Sequence, residues 1–219
     1  MFNTLTIWQL ADSAFPTGGF AHSGGLEAAW QSGEVASPEA LALFVRSALW
    51  QTGRGLLPLA SAACIDPLRL EELDDACHVF LTNVVSSRAS CVQGRALAAT
   101  CARVWPGESM TALEDRVAAL NGHHAPVFGA ALSLLGLPLR TVQQLFLYSS
   151  LKGLTSAAVR LGIVGTYAAQ RLQVECAGEL DLILERCEDL RDPDVAQTAP
   201  ILDLLQAGHD RLYSRLFQS

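Results

Sequence analysis

Apolar residues recur every three to four positions along nearly the whole chain, the period of an α-helix with one buried face. Ser37-Pro38-Glu39 opens the clearest stretch, with Ser at the N-cap, Pro at the first helical position and an acid in the first turn. Behind it Leu41, Phe44, Val45, Ala48 and Leu49 repeat at helical spacing. Asp66-Pro67 is a second start signal, and the pattern from Leu68 to Trp105 predicts two or more helices, ended by Pro106-Gly107. Met110 to Leu120 reads as a helix with its stop at Asn121-Gly122, and Ala125 to Leu135 as another closed by Gly136. Pro138 opens a long apolar helix through Leu145, Leu151, Ala158 and Leu161, with Gly165 as a candidate interruption. The pattern resumes from Thr166 to about Leu190, breaks in the Pro-containing stretch Arg191 to Pro200, and ends in a helix from Ile201 to about Gly208. No period-2 run bounded by turns and no repeat of fixed length interrupts this. The expectation is an all-α, single-domain globular bundle of about eight to ten helices over residues 1–219, with 209–219 as a C-terminal docking tail.

Composition narrows the function classes. Of 219 residues, 50% are hydrophobic and 17% charged, which supports one substantial core and excludes a disordered chain. A net charge of −7 argues against a general nucleic-acid binder, which needs clustered Lys and Arg. There is a single lysine, Lys152. The longest uncharged run, between Arg116 and Arg140, contains Pro126 and Pro138 and does not read as a membrane span. The six cysteines show no C-x-x-C spacing and fall mostly in apolar helical patterns. With no leader segment recognised, they predict a reduced, cytoplasmic protein. So high an apolar content also predicts surface that a partner covers.

Several catalytic templates are missing. The sequence has no phosphate-cradling G-x-x-x-x-G-K-[ST], no G-x-G-x-x-G after a strand and no H-E-x-x-H. The stretch Ala21-His22-Ser23-Gly24-Gly25 resembles a nucleophile elbow only loosely; tight Gly turns before a helix, with Ser23 as a cap, explain it better. One alternative function is therefore a small helical hydrolase using Ser23 with His22 or His124. Another is a nickel-storage protein, but His123-His124 and Cys77-His78 are incomplete ligand sets, and exposed rings at a helix N-terminal turn are the simpler expectation. Arg88 and Arg95 form either an anion site or pairs with acids on a solvated face. The run Glu175 to Asp194, with eight acids against Arg186 and Arg191, reads as a solvated helix face or as a dock for a basic partner. The tail sets Leu212, Tyr213, Leu216 and Phe217 among Arg211 and Arg215, a composition typical of interface anchors.

Four segments, spread in order over almost the whole chain, resemble the UreF-type urease accessory proteins. The first runs from Trp8 to Glu27, including Phe15-Pro16-Thr17-Gly18-Gly19-Phe20-Ala21-His22-Ser23-Gly24-Gly25-Leu26-Glu27. The second is Arg88-Ala89-Ser90 with Gln93-Gly94-Arg95-Ala96-Leu97, and the third runs from His124 and Pro126 to Ser156-Ala157-Ala158-Val159-Arg160-Leu161. The fourth is Tyr213-Ser214-Arg215-Leu216-Phe217-Gln218-Ser219. The chain departs from the family's bacterial pattern at Ile163–Gln170 and at Gln218, where Arg is frequent.

The resemblance implies an all-helical, dimeric, non-catalytic protein. It would be a chaperone that bridges a UreD/UreH-type scaffold and the GTPase UreG and helps deliver nickel to apo-urease. Nickel and GTP would be handled by those partners and neither bound by this chain. Residue by residue, it implies partner or dimer contacts at Pro16, Gly18, Gly19, His22, Ser23, Glu27 and Arg160. It implies scaffold docking at Arg211, Tyr213, Arg215, Leu216 and Phe217. Arg160 could equally pair with an acid inside the fold. If Phe217 is an anchor, Phe217→Ala costs about 2 kcal/mol or more in scaffold binding and leaves the isolated chain's thermal midpoint nearly unchanged.

Overall fold

The computed structural model describes residues 4–219; Met1 to Asn3 of the expected 1–219 domain lie outside the described residues. Among the described residues there are helices and turns and no strand. In chain order the α-helices are α1 (Thr4–Ala11), α2 (Leu26–Gln31), α3 (Pro38–Gln51), α4 (Leu57–Ile65), α5 (Leu70–Phe80) and α6 (Val84–Val104). They continue with α7 (Glu108–Ala118), α8 (His124–Leu134), α9 (Leu139–Arg160), α10 (Thr166–Glu175), α11 (Ala177–Cys187) and α12 (Pro200–Ala207). These exceed the eight to ten expected, because short α2 and the junction at Cys176 divide stretches that the apolar period leaves continuous.

The caps show why the elements start and stop where they do. Ser37 Oγ accepts the Ala40 N–H at 3.2 Å, satisfying one orphan donor of α3. Asn83 Oδ1 accepts the Val85 N–H at 2.9 Å, so the break inside Leu68–Trp105 falls at Leu81–Asn83. Gly136 and Gly162 take φ of 77° and 73°, and the Leu137→Leu132 and Ile163→Ala158 amide bonds wrap the ends of α8 and α9. The stop after α9 is therefore at Gly162, and Gly165 is instead the N-cap of α10.

α3 runs into α4 through one π turn, Thr52–Leu56. Pro58 sits near the start of α4 and has no N–H to offer the Arg54 carbonyl four residues back. That carbonyl accepts the Ala196 N–H at 3.0 Å instead, which ties the Arg191–Pro200 loop to the π turn. Proline, bulge and loop are thus one device.

α4 and α8 form the centre, and each is apolar on every side: Leu57–Cys64 and Ala125–Leu132 are buried without exception. The helices touch at Gly129, where a Cβ would stand 2.0 Å from the Ala60 carbonyl oxygen. α9 and α6 pack around this pair. In α11, Ile183 and Leu184 face inward while Glu179, Glu188 and, beyond it, Asp192 pair with Arg46, Arg140 and Arg69 of other elements. Three of the eight acids of that run are therefore tied to arginines, and Glu175, Asp181, Glu185, Asp189 and Asp194 are exposed. α12 crosses α2 and α6, held by Asn83 Nδ2 donating to the Asp203 carbonyl at 2.9 Å. This lays the last residues back over the N-terminal loop. No helix among the described residues is long and apolar enough to cross a membrane.

Candidate functional site

The two segments that carry most of the predicted residues, Pro16–Glu27 and Arg211–Phe217, meet in one place. The loop reaches it because Gly18, Gly24 and Gly25 take positive φ, a conformation that L side chains resist. Glu27, in the first turn of α2, is fully buried. Its carboxylate accepts the Leu216 N–H at 2.6 Å and the Phe217 N–H at 3.1 Å, and it bonds His209 Nε2 at 3.0 Å. His209 is itself completely buried. A buried carboxylate is tolerable only when its lone pairs are filled, and here the tail backbone fills them.

The loop backbone closes the same junction. The Ser23 N–H and Oγ both donate to the Ser219 carbonyl, at 2.7 and 2.8 Å, and the Gln218 N–H donates to the Ala21 carbonyl at 2.8 Å. Ser23 Oγ also accepts the Glu27 N–H at 3.3 Å. His22 Nδ1 lies 2.7 Å from Ser219 Oγ. Burial, then Arg88, then His209 push the His22 pKa down, which favours the neutral ring. Ser23 is thus a buried staple (1% exposed), and its neighbour imidazole bonds another hydroxyl. This is not the arrangement of a nucleophile and its base. His124 packs against Phe128 and Phe146, and burial pushes its pKa down to about 4.

Above the clasp the loop Leu212–Leu216 stands out. Tyr213 is fully exposed, Leu216 is 53% exposed, and Arg211 and Arg215 are exposed. Asp210 receives a two-pronged bond from Arg88, at 2.8 and 3.2 Å, and a third from Arg215 at 3.2 Å, which together hold its carboxyl below the usual range. Arg88 therefore pairs with an acid. Arg95 donates to the Leu120 carbonyl at 3.0 Å. Pro16 and Gly18 are exposed, and the Pro16 carbonyl accepts a bond from Thr100 Oγ1 at 2.8 Å. Gly19 is partly buried beside Gln93.

The expectations for Phe217, Arg160 and His123 need correction. Phe217 is not an exposed anchor: it is 5% exposed and packed, because the tail has turned inward to reach Glu27. Phe217→Ala is therefore expected to destabilise the isolated chain by about 3 kcal/mol, visible as a clear drop in thermal midpoint. An unchanged midpoint would show that this packing contributes nothing. Among the described residues Arg160 does not pair with an acid either. Its guanidinium carbon lies 3.7 Å from the Phe20 ring centre and 4.2 Å from that of Phe217, and Nη1 donates to the Phe20 carbonyl.

The His123 ring is also not exposed. His123 is the N-cap residue of α8 and is buried, its N–H donating to Asp74 at 2.6 Å. Its Nε2 is 3.2 Å from His78 Nδ1 and its Nδ1 is 3.6 Å from Cys91 Sγ. Among the described residues no group of three or more His, Cys, Asp or Glu side chains is placed to hold a metal ion. All six cysteines are free.

His209, Asp210 and Ser219 complete the junction, although within the tail no residue type or spacing singles them out. Their contacts with Glu27, Arg88 and His22 span 182, 122 and 197 residues, so no local pattern marks those contacts.

Comparison with known proteins gives the family of the chain. The UreF family model matches residues 35–177. Urease accessory protein F of Oryza sativa is 39% identical over 218 residues, covering 96% of this chain and 83% of the relative. The protein of the same name in Arabidopsis thaliana is 41% identical over 219 residues, covering 97% and 91%. Urease accessory protein UreF of Bacillus sp. (strain TB-90) is 29% identical over 231 residues, covering all of both chains. By name these relatives are accessory proteins of urease. The chain belongs to the UreF family of urease accessory proteins.

Proposed function

We propose that this chain is a cytoplasmic maturation chaperone that joins a UreD/UreH-type scaffold to the GTPase UreG and promotes nickel insertion into apo-urease. Nickel and GTP belong to the partners in this reading, and the chain acts as a homodimer through its surfaces. The observation that carries it is the loop Leu212–Leu216: Tyr213 and Leu216 are held out in solvent while Glu27 fixes the backbone beneath them. Ordering a docking loop in advance lowers the entropy lost on binding. Arg211 and Arg215 give the loop the Tyr and Arg composition of binding hot spots.

The test is co-expression with the scaffold subunit and with the GTPase, followed by light scattering. Tyr213→Ala combined with Leu216→Asp is expected to weaken scaffold binding at least about a hundredfold, the effect of removing a hot spot. The fold is expected to hold, because both side chains point away from the core. Full scaffold binding by this variant would remove the tail from the interface. Failure of the unaltered chain to bind either partner would leave a helical family member without this bridging role.

A further inference from the structure

A pocket of about 210 Å³ lies between the end of α9 and the start of α10. Arg160 lines it, together with the neutral polar side chains of Thr155, Thr166, Gln170 and Gln173, and no carboxylate does. Gln173 Nε2 donates to Thr155 Oγ1 at 2.7 Å, which fixes one wall. Arg160 is partly buried against two phenyl rings, and only its Nη1 is committed, to the Phe20 carbonyl. Among the described residues it meets no acid, although Arg46, Arg69, Arg88, Arg140 and Arg215 all do. A planar fork of donors held in place and left without an anion matches an incoming carboxylate.

We infer that this pocket is an oxyanion site, with Arg160 as its cation and a carboxylate side chain of a protein partner as its occupant. The inference rests on the reading that the chain works through protein interfaces. A protein carboxylate fits better than a free anion because the surroundings are aromatic and exposed. Phe20, which lines the pocket, is 66% exposed, and Tyr167, next along α10 from Thr166, is 85% exposed. Exposed aromatic side chains around a polar anchor are the composition of a recognition surface. The rings also exclude water from the guanidinium, which strengthens a charge-assisted bond. The same site explains why Arg160 belongs with the tail: its ring contact with Phe217 joins the pocket to the docking loop's root.

The first arm uses the full chain alone, labelled with ¹⁵N. Sodium acetate, at ionic strength matched with sodium chloride, is expected to shift the Arg160 Nε–H resonance saturably. Arg160→Lys identifies the signal by removing it. No saturable shift overturns the site. The second arm measures binding of the scaffold and of the GTPase to Gln170→Glu, which places a carboxylate in the pocket and leaves Arg160 on its rings. At least about a tenfold loss for one partner is expected, with the thermal midpoint kept. An unchanged Kd for both partners overturns the protein occupant, and a saturable response to inorganic phosphate in that case assigns the site to a free anion. If the unaltered chain binds neither partner, the bridging reading fails while the acetate arm still decides whether the pocket exists.

Discussion

Glu27→Ala is expected to cost about 3–5 kcal/mol, the penalty for breaking a buried hydrogen-bonded charge network by removing one partner. Among the described residues the carboxylate is the one acceptor of the Leu216 and Phe217 amides and the one hydrogen-bond partner of the buried His209 ring. Its loss would leave the buried Phe217 amide and His209 ring, and the part-buried Leu216 amide, without their acceptor. Urea unfolding gives the size of the effect, and amide exchange at Leu216 and Phe217 locates it: both are expected to become unprotected before the rest of the fold. Glu27→Gln keeps the shape and one acceptor oxygen, so an intermediate loss is expected. A variant as stable as the parent, with slow exchange at both amides, would mean that Glu27 does not hold the tail. The distinction matters for the function, because a residue of the N-terminal motif then acts on partners through the docking loop rather than by touching them.

Gly129→Ala is expected to be the next most damaging small change, at about 3 kcal/mol, near the top of the range for overpacking. The added Cβ would lie 2.0 Å from the Ala60 carbonyl oxygen and 2.9 Å from the Cys64 nitrogen. Both are backbone atoms of α4, so no side chain can swing aside, and α4 and α8 must separate. Gly153→Ala in α9 is the control. A Cβ there meets nothing within 4 Å, and replacing a helical glycine in open space is expected to stabilise by about 0.5–1 kcal/mol. Thermal unfolding of the two variants should move in opposite directions. Equal midpoints would show that the central helices are looser than their spacing implies.

Local chemistry was readable where one turn of chain decides the outcome. Ser37-Pro38-Glu39 starts a helix, Gly136 stops one, and the run of apolar residues from Ala125 marks a helix with no wet side. The π turn was not readable, because it depends on a carbonyl freed by Pro58 finding the amide of Ala196 in a distant loop. The tail shows the same limit at the site. Leu212 to Phe217 mixes apolar and polar residues as an exposed arm would, yet Tyr213 faces water and Phe217 the interior.

What the sequence by itself determined was the helical class, most caps and the family, since each depends on residue type and short spacing. Tertiary structure alone decided which charges are paired, which are buried and which are left open. Glu27 reads as an ordinary acid in a helix's first turn, favoured there by the helix dipole. Only folding brings it His209 and two tail amides from 182 to 190 residues away. Arg160 reads as a helix-end cation, and only folding surrounds it with rings instead of an acid. Burial sets the energy of a charge, and burial is a property of the whole chain.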